Sequence, residues 1–201
     1  MIARYLRICT KPVIFSPILL SFSFALAPQY VAADEFDVGL SNDSVQAVYS
    51  TNIEGRFMAG GGYGEVDVLY TEEDDFQLVL GLLVRDELTS SFPGLWAGIG
   101  FELVGASVED EEVGALGIHA ELRYLPTSLP RVVVGTEMTY APKVVSFGDA
   151  ERYFSSQIRL EYEVLPQAAV YIGYKKFEYE IESVDDITLD EGLNFGLRLT
   201  F

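Results

Sequence analysis

The sequence predicts an all-β fold, an antiparallel transmembrane β-barrel of eight to ten strands behind a cleaved signal peptide, and three observations carry that prediction. The last ten residues, GLNFGLRLTF, alternate without a slip: Leu193, Phe195, Leu197, Leu199 and Phe201 share one face, Asn194, Gly196, Arg198 and Thr200 the other. A period of two marks a strand with one apolar and one polar side, and ten residues is about the length that crosses a bilayer at a tilt near 45°. Similar segments recur about every nineteen residues along the chain. The amino-terminal stretch, finally, reads as an export signal.

That signal begins with Arg4, Arg7 and Lys11, continues through an apolar run from Val13 to Ala27, and ends in PQYVAA with the small residues Val31 and Ala33 set for cleavage. Residues 1–33 are therefore expected to be removed, leaving residues 34–201 as the barrel domain. Pro17 and several serines interrupt a stretch shorter than the ~20 apolar residues that a retained helix needs. Cys9 is the only cysteine and lies inside the signal. The mature chain is thus expected to carry no thiol, disulfide or lipid anchor, and ladder hydrogen bonds and packing must hold it together. Loss of the three basic residues takes the formal charge from -18 down by three to -21. So acidic a chain argues against nucleic-acid partners, which need basic patches. No cofactor is expected.

Beyond the signal the longest apolar run, Leu78 to Val84, is far too short for a membrane helix. The first candidate strands, FDVGL (Phe36 to Leu40) and VQAVYS (Val45 to Ser50), flank a turn-like SNDS and are short. A glycine-rich segment follows from Phe57 to Tyr70. Clear alternation then runs over Phe76 to Val84, Leu95 to Leu103, Gly114 to Tyr124, Val132 to Tyr140, Phe154 to Val164, Val170 to Ile181 and Leu193 to Phe201. Counting the first two as strands gives ten; treating them as a hairpin on or inside the barrel gives eight, and both numbers are even, as bacterial barrels require. With Phe201 on the periplasmic side, the acidic segments TEEDD, VEDEE, YAPKVVSFGDAER and SVDDITLDEG are expected to be external loops. The proline-containing RDELTSSFPG, YLPTSLP and VLPQ become periplasmic turns. Phe201 itself is the expected assembly signal, read by the outer-membrane assembly machinery.

The two faces differ in kind. Phe76, Leu78, Leu80 and Leu82 on one strand, and Ile99, Phe101 and Leu103 on the next, form an apolar face, while Glu102, His119, Glu121, Arg123, Glu137, Arg159, Glu161, Glu163 and Arg198 fall on the other. An arginine facing lipid at the bilayer mid-plane costs about 2 to 4 kcal/mol, so these residues are expected to form a polar network inside the lumen. A soluble barrel with the opposite facing would show the same alternation. Export, the terminal aromatic and the aromatic residues near strand ends (Trp96, Tyr124, Tyr140, Tyr153, Tyr174) favour the membrane. One strand is expected to break phase after Lys175 and Lys176, where the large residues become Phe177, Tyr179 and Ile181. A β-bulge at this lysine pair is expected, unless the strand here projects past the bilayer.

Several segments resemble the YfaZ family of outer-membrane proteins: FDVGLSNDSVQAVYS, LYTEEDD, LGLLVRDEL, the stretch from Tyr140 to Glu180, and GLNFGLRLTF. The resemblance implies an outer-membrane β-barrel of a Gram-negative bacterium, in contact with lipid and lipopolysaccharide, and implies no catalytic activity, cofactor or ligand.

Catalysis finds little support in the residues themselves. His119 is the only histidine, and no serine stands at a nucleophile motif. The acidic runs that include Glu72, Asp74 and Asp75, and Glu109, Asp110 and Glu111, offer hard oxygen ligands but match no calcium loop; no metal site is assigned to them. Eight to ten strands enclose an interior that side chains roughly fill. The sequence therefore points to an outer-membrane barrel of structural or interaction type with a filled polar lumen, not an enzyme, with a narrow channel for small solutes or ions as the alternative.

Overall fold

The structure is a computed structural model, and the residues it describes are 34–53, 61–88, 92–108, 111–148, 150–181 and 184–201, with side chains left out at 184–186. The signal at residues 1–33 lies outside them. Among the described residues the strands are β1 (Glu35–Leu40), β2 (Ser44–Asn52), β3 (Gly62–Thr71), β4 (Phe76–Glu87), β5 (Leu95–Val108), β6 (Glu111–Tyr124), β7 (Val132–Ala141), β8 (Ser146–Gly148), β9 (Ala150–Leu165), β10 (Ala168–Ile181) and β11 (Val184–Thr200). All pair antiparallel. β8 is a three-residue piece lying on Val113–Ala115 of β6, and the other ten are the staves of the wall. Because β5 pairs with β6 and β1 with β11, the sheet closes on itself. Closure matters because a strand edge in hydrocarbon would leave backbone groups with no water to bond.

Ten strands, not eight, make the barrel. β1 and β2 are not a hairpin laid on it but part of the wall, β1 registering Glu35 to Leu40 against Thr200 to Phe195 on one side and Ser50 to Val45 on the other. The seam is locked by reciprocal backbone bonds between Asp34 and Phe201, both 2.9 Å. We call this the near end. β1 can be short because it meets only the near half of β11; beyond Phe195 the far half pairs with β10 alone.

The far end departs most from the sequence expectation. SVDDITLDEG is largely not a loop but the first half of β11, and Glu111 and Glu112 belong to β6. The YAPKVVSFGDAER segment holds a 3-10 turn at Lys143–Val145, β8 and the start of β9. A packing reason stands behind these extensions: Ile187 and Leu189 turn into the barrel against a buried apolar cluster that includes Tyr153, Phe177, Tyr179 and Ile181.

Along the longest staves the polarity can invert, and β10 shows it. On β10, Val170, Ile172 and Tyr174 face outward and are exposed, but the next outward residues are Lys176, Glu178 and Glu180, while Tyr171 and Lys175 give way on the inner face to Phe177, Tyr179 and Ile181. The alternation itself never slips, so the lysine pair carries no bulge. The irregularity sits on the facing strand: Phe177 pairs Asp190 and Glu178 pairs Thr188, leaving Leu189 as the extra residue. Both Leu189 and Asp190 are thereby buried, the re-aiming of a side chain that bulges provide.

In the near and middle parts the outer face is an apolar band, with Ile99, Phe101, Ile118, Ile158 and Phe195 all more than half exposed. A belt of this kind on a closed barrel is a lipid-facing surface, and the soluble alternative fails on it. Two of the aromatic residues expected at the membrane rim are elsewhere. Tyr153 is buried in the lumen, and Trp96 pairs with inward-facing Arg123.

Candidate functional site in the barrel lumen

The near half of the lumen is an ion-pair lattice. Alternation delivers one inward arginine each from β4, β6, β9 and β11, and the facing strands supply carboxylates. Arg198 grips Glu161 in a two-pronged contact, Nη1 to Oε2 at 2.7 Å and Nη2 to Oε1 at 2.9 Å. Arg159 reaches Glu137 Oε1 at 2.5 Å, Glu161 Oε1 at 2.9 Å and Asp37 Oδ2 at 3.5 Å. Arg85 makes a matching fork on Glu121, its Nη2 at 2.9 Å from Oε2. Arg123 lies 3.6 Å from Glu35 and 3.7 Å from Glu161. Planar guanidinium forks suit such desolvated pairing better than lysine does.

Tyr171 braces this lattice. Its hydroxyl donates to Asp37 Oδ1 at 2.6 Å, and its ring crosses the wall where Gly196 carries no side chain. A Cβ at Gly196 would stand 2.1 Å from the ring, so only glycine fits beneath it.

At mid-depth, His119 Nδ1 lies 2.7 Å from Glu102 Oε1 and 3.0 Å from Thr139 Oγ1, and the Thr139 hydroxyl donates to Glu102 Oε2 at 2.7 Å. A nucleophile triad needs the acid on one ring nitrogen and the hydroxyl on the other. Here the same nitrogen meets both. The three residues form a closed knot that crosslinks β5, β6 and β7.

Higher still, Lys175 is completely buried. Its Nζ lies 2.8 Å from Asp190 Oδ2 and donates to Ser44 Oγ at 3.1 Å and Gln46 Oε1 at 3.3 Å. Asp190 was expected in an external acidic loop; the bulge beside it turns it inward instead. Beyond this layer the apolar cluster fills the barrel, with the Tyr153 and Tyr179 rings 4.9 Å apart.

Between the lattice and the apolar cluster lies a cavity of about 70 Å³, bounded toward the far end by Val79, Tyr153 and Phe177 and otherwise lined mainly by polar and charged side chains. Six acids (Glu35, Asp37, Glu65, Asp67, Glu102, Glu137) line it against three arginines and His119.

The arrangement is that of a membrane barrel whose inside, not its surface, carries the chemistry. The YfaZ precursor family matches the chain over residues 18–201. The chain belongs to the YfaZ family. With its closed wall and lipid-facing band it is a protein of the bacterial outer membrane. A comparison of the sequence with curated proteins gives no match. Among solved structures the YfaZ chain is similar to the KdgM porin at 12% identity and TM-score 0.45, covering 84% of this chain and 99% of that one. It is similar to the NanC porin at 11% and 0.49, covering 85% and 98%. It is also similar to the outer membrane channel DcaP of Acinetobacter baumannii at 10% and 0.43, covering 82% and 54%.

Of the residues singled out from the sequence, Glu102, His119, Glu121, Arg123, Glu137, Arg159, Glu161 and Arg198 all take part in the lumenal pairs above. Glu163 has the same facing and is half-buried near the near-end mouth. Of the acidic candidates, Asp74 accepts a hydrogen bond from the Tyr70 hydroxyl and Asp75 is buried in the same turn. Glu72 is exposed, Glu111 opens β6, and Glu109 and Asp110 lie outside the described residues. Among the described residues no three acidic, histidine or cysteine groups are placed to hold a metal. The sequence reading missed Asp37, Glu65, Asp67, Arg85 and Lys175. The signal was present for two of them: GEVDV in β3 alternates acid and valine, but the surrounding glycines obscured the strand.

Proposed function

We propose that this YfaZ-family barrel is a narrow outer-membrane channel for water and small ions, its charged near half opening toward the periplasm. The observation that carries the reading is the charged cavity inside a ten-strand wall, which is wider than the eight-strand barrel whose interior side chains just fill. At ~10–15 Å³ per water, that cavity takes roughly five to seven waters. Such a space suits a partly hydrated ion and is too small for a sugar. The apolar layer around Tyr153, Phe177 and Tyr179 is the constriction, of the sort that resists ions by shedding water.

Planar-bilayer recording tests this directly. The expected result is a small discrete conductance. A purely structural barrel, favoured by the packed far half, predicts silence, and a silent purified barrel would return the reading to it.

A further inference from the structure

The lumenal ion pairs leave two acids over. The lumenal arginines, Lys175 and His119 each hold an acidic partner, whereas among the described residues Glu65 and Asp67 have no cation within ion-pair distance. The two stand two positions apart on β3 and face the same cavity. Asp67 Oδ2 accepts one hydrogen bond, from Gln46 Nε2 at 2.8 Å, and its Oδ1 accepts none.

The wall around them is built to leave room. Strand register sets Ser50, Glu65, Gly81 and Glu102 in one row across four staves. A Cβ at Gly81 would sit 3.2 Å from Glu65 Cβ and 3.6 Å from Glu102 Cγ, so glycine keeps the space between these chains open. Ser50 Oγ also lacks a partner. Ser50 and Asp67 are only 6% and 8% exposed, and both line the cavity. Buried oxygens left unpaired are costly, and an uncompensated carboxylate more so.

What would satisfy them is positive, hard and small. The donors are all oxygen, which suits an alkali cation rather than a soft metal. Among the described residues no three carboxylates converge closely enough to chelate a divalent ion, and a permeant ion must bind weakly enough to leave. We propose that Ser50, Glu65 and Asp67 form a lumenal site for a permeant monovalent cation, which makes the barrel cation-selective; this rests on the channel reading above.

Reversal potentials across an asymmetric KCl gradient test it on the purified barrel, with Glu65→Gln/Asp67→Asn as the variant and heat-modifiable gel migration to verify its folding. The wild type is expected to prefer potassium over chloride several-fold, and the variant to conduct with that ratio falling toward unity. An anion preference in the wild type, or an unchanged ratio in the variant, overturns the site while leaving a channel. A wild type that passes no current overturns the channel reading instead, and rubidium then decides the site. Crystals soaked in rubidium chloride are expected to show anomalous density among Ser50, Glu65 and Asp67, lost in the variant; its absence in the wild type overturns the proposal.

Discussion

Lys175 concentrates the problem of a charged lumen in one side chain. With no exposure at all, its ammonium is sustained by Asp190 and the Ser44 and Gln46 oxygens. Removing one partner of a buried pair costs about 3–5 kcal/mol, because the other charge is stranded, whereas replacing both by apolar groups is often neutral. Lys175→Met should therefore lower the urea-unfolding free energy by about that amount, and Lys175→Met/Asp190→Leu should regain most of it. Gly196 makes the opposite point, that an absent side chain can be structural. Gly196→Ala drives a methyl into the Tyr171 ring and hydroxyl and should cost about 1–3 kcal/mol by overpacking; adding Tyr171→Phe would leave most of that cost in place, since the ring carbons still clash when the hydroxyl is gone. A Gly196→Ala variant as stable to urea as the wild type would count against this account.

At the scale of elements, what the sequence made legible was alternation inside the bilayer, and what it hid was alternation beyond it. β4, β5, β6, β7 and β9 were all visible because apolar-out and polar-in is the pattern lipid demands. The far half of β10 keeps the same period but reverses its meaning, burying Phe177, Tyr179 and Ile181 and wetting Lys176, Glu178 and Glu180. Above the membrane, water replaces lipid outside, so the favourable facing inverts and a continuous strand looks broken. The same inversion made the start of β11 resemble an acidic loop. Its bulge at Leu189 reconciles the two regimes by letting Asp190 and Ile187 both point inward. Deleting Leu189 removes the extra residue, so Thr188 and Ile187 keep their partners Glu178 and Tyr179 and their facing, while the apolar cluster loses a buried leucine. The expected consequence is a lower unfolding midpoint with the near-end seam intact. An unchanged midpoint would mean that the bulge is incidental.

For the whole molecule, the lumen divides into a charged half and an apolar half, which on the channel proposal are the path for ions and its barrier. Several of the pairings that create this division are not local: Tyr179 on β10 meets Gln77 on β4, and Lys175 on β10 meets Ser44 and Gln46 on β2, only because the barrel closes. The sequence could assign Arg198 and Glu161 to the lumen but not to one another, and it did not show these other partners, so it could not tell a filled interior from a stratified one. If the apolar layer is the resistive element, its effect is separable into width and wetting. Val79 borders the cavity at that layer, and Val79→Thr keeps the shape while adding a hydroxyl that holds water. Phe177→Ala removes a ring from the same layer and widens it. Both should raise single-channel conductance, because a constriction that works by dewetting yields either to polarity or to diameter. If only Phe177→Ala raises it, the barrier is steric; if neither does, the limiting constriction lies within the arginine lattice, and Arg159→Gln becomes the variant that should open the path.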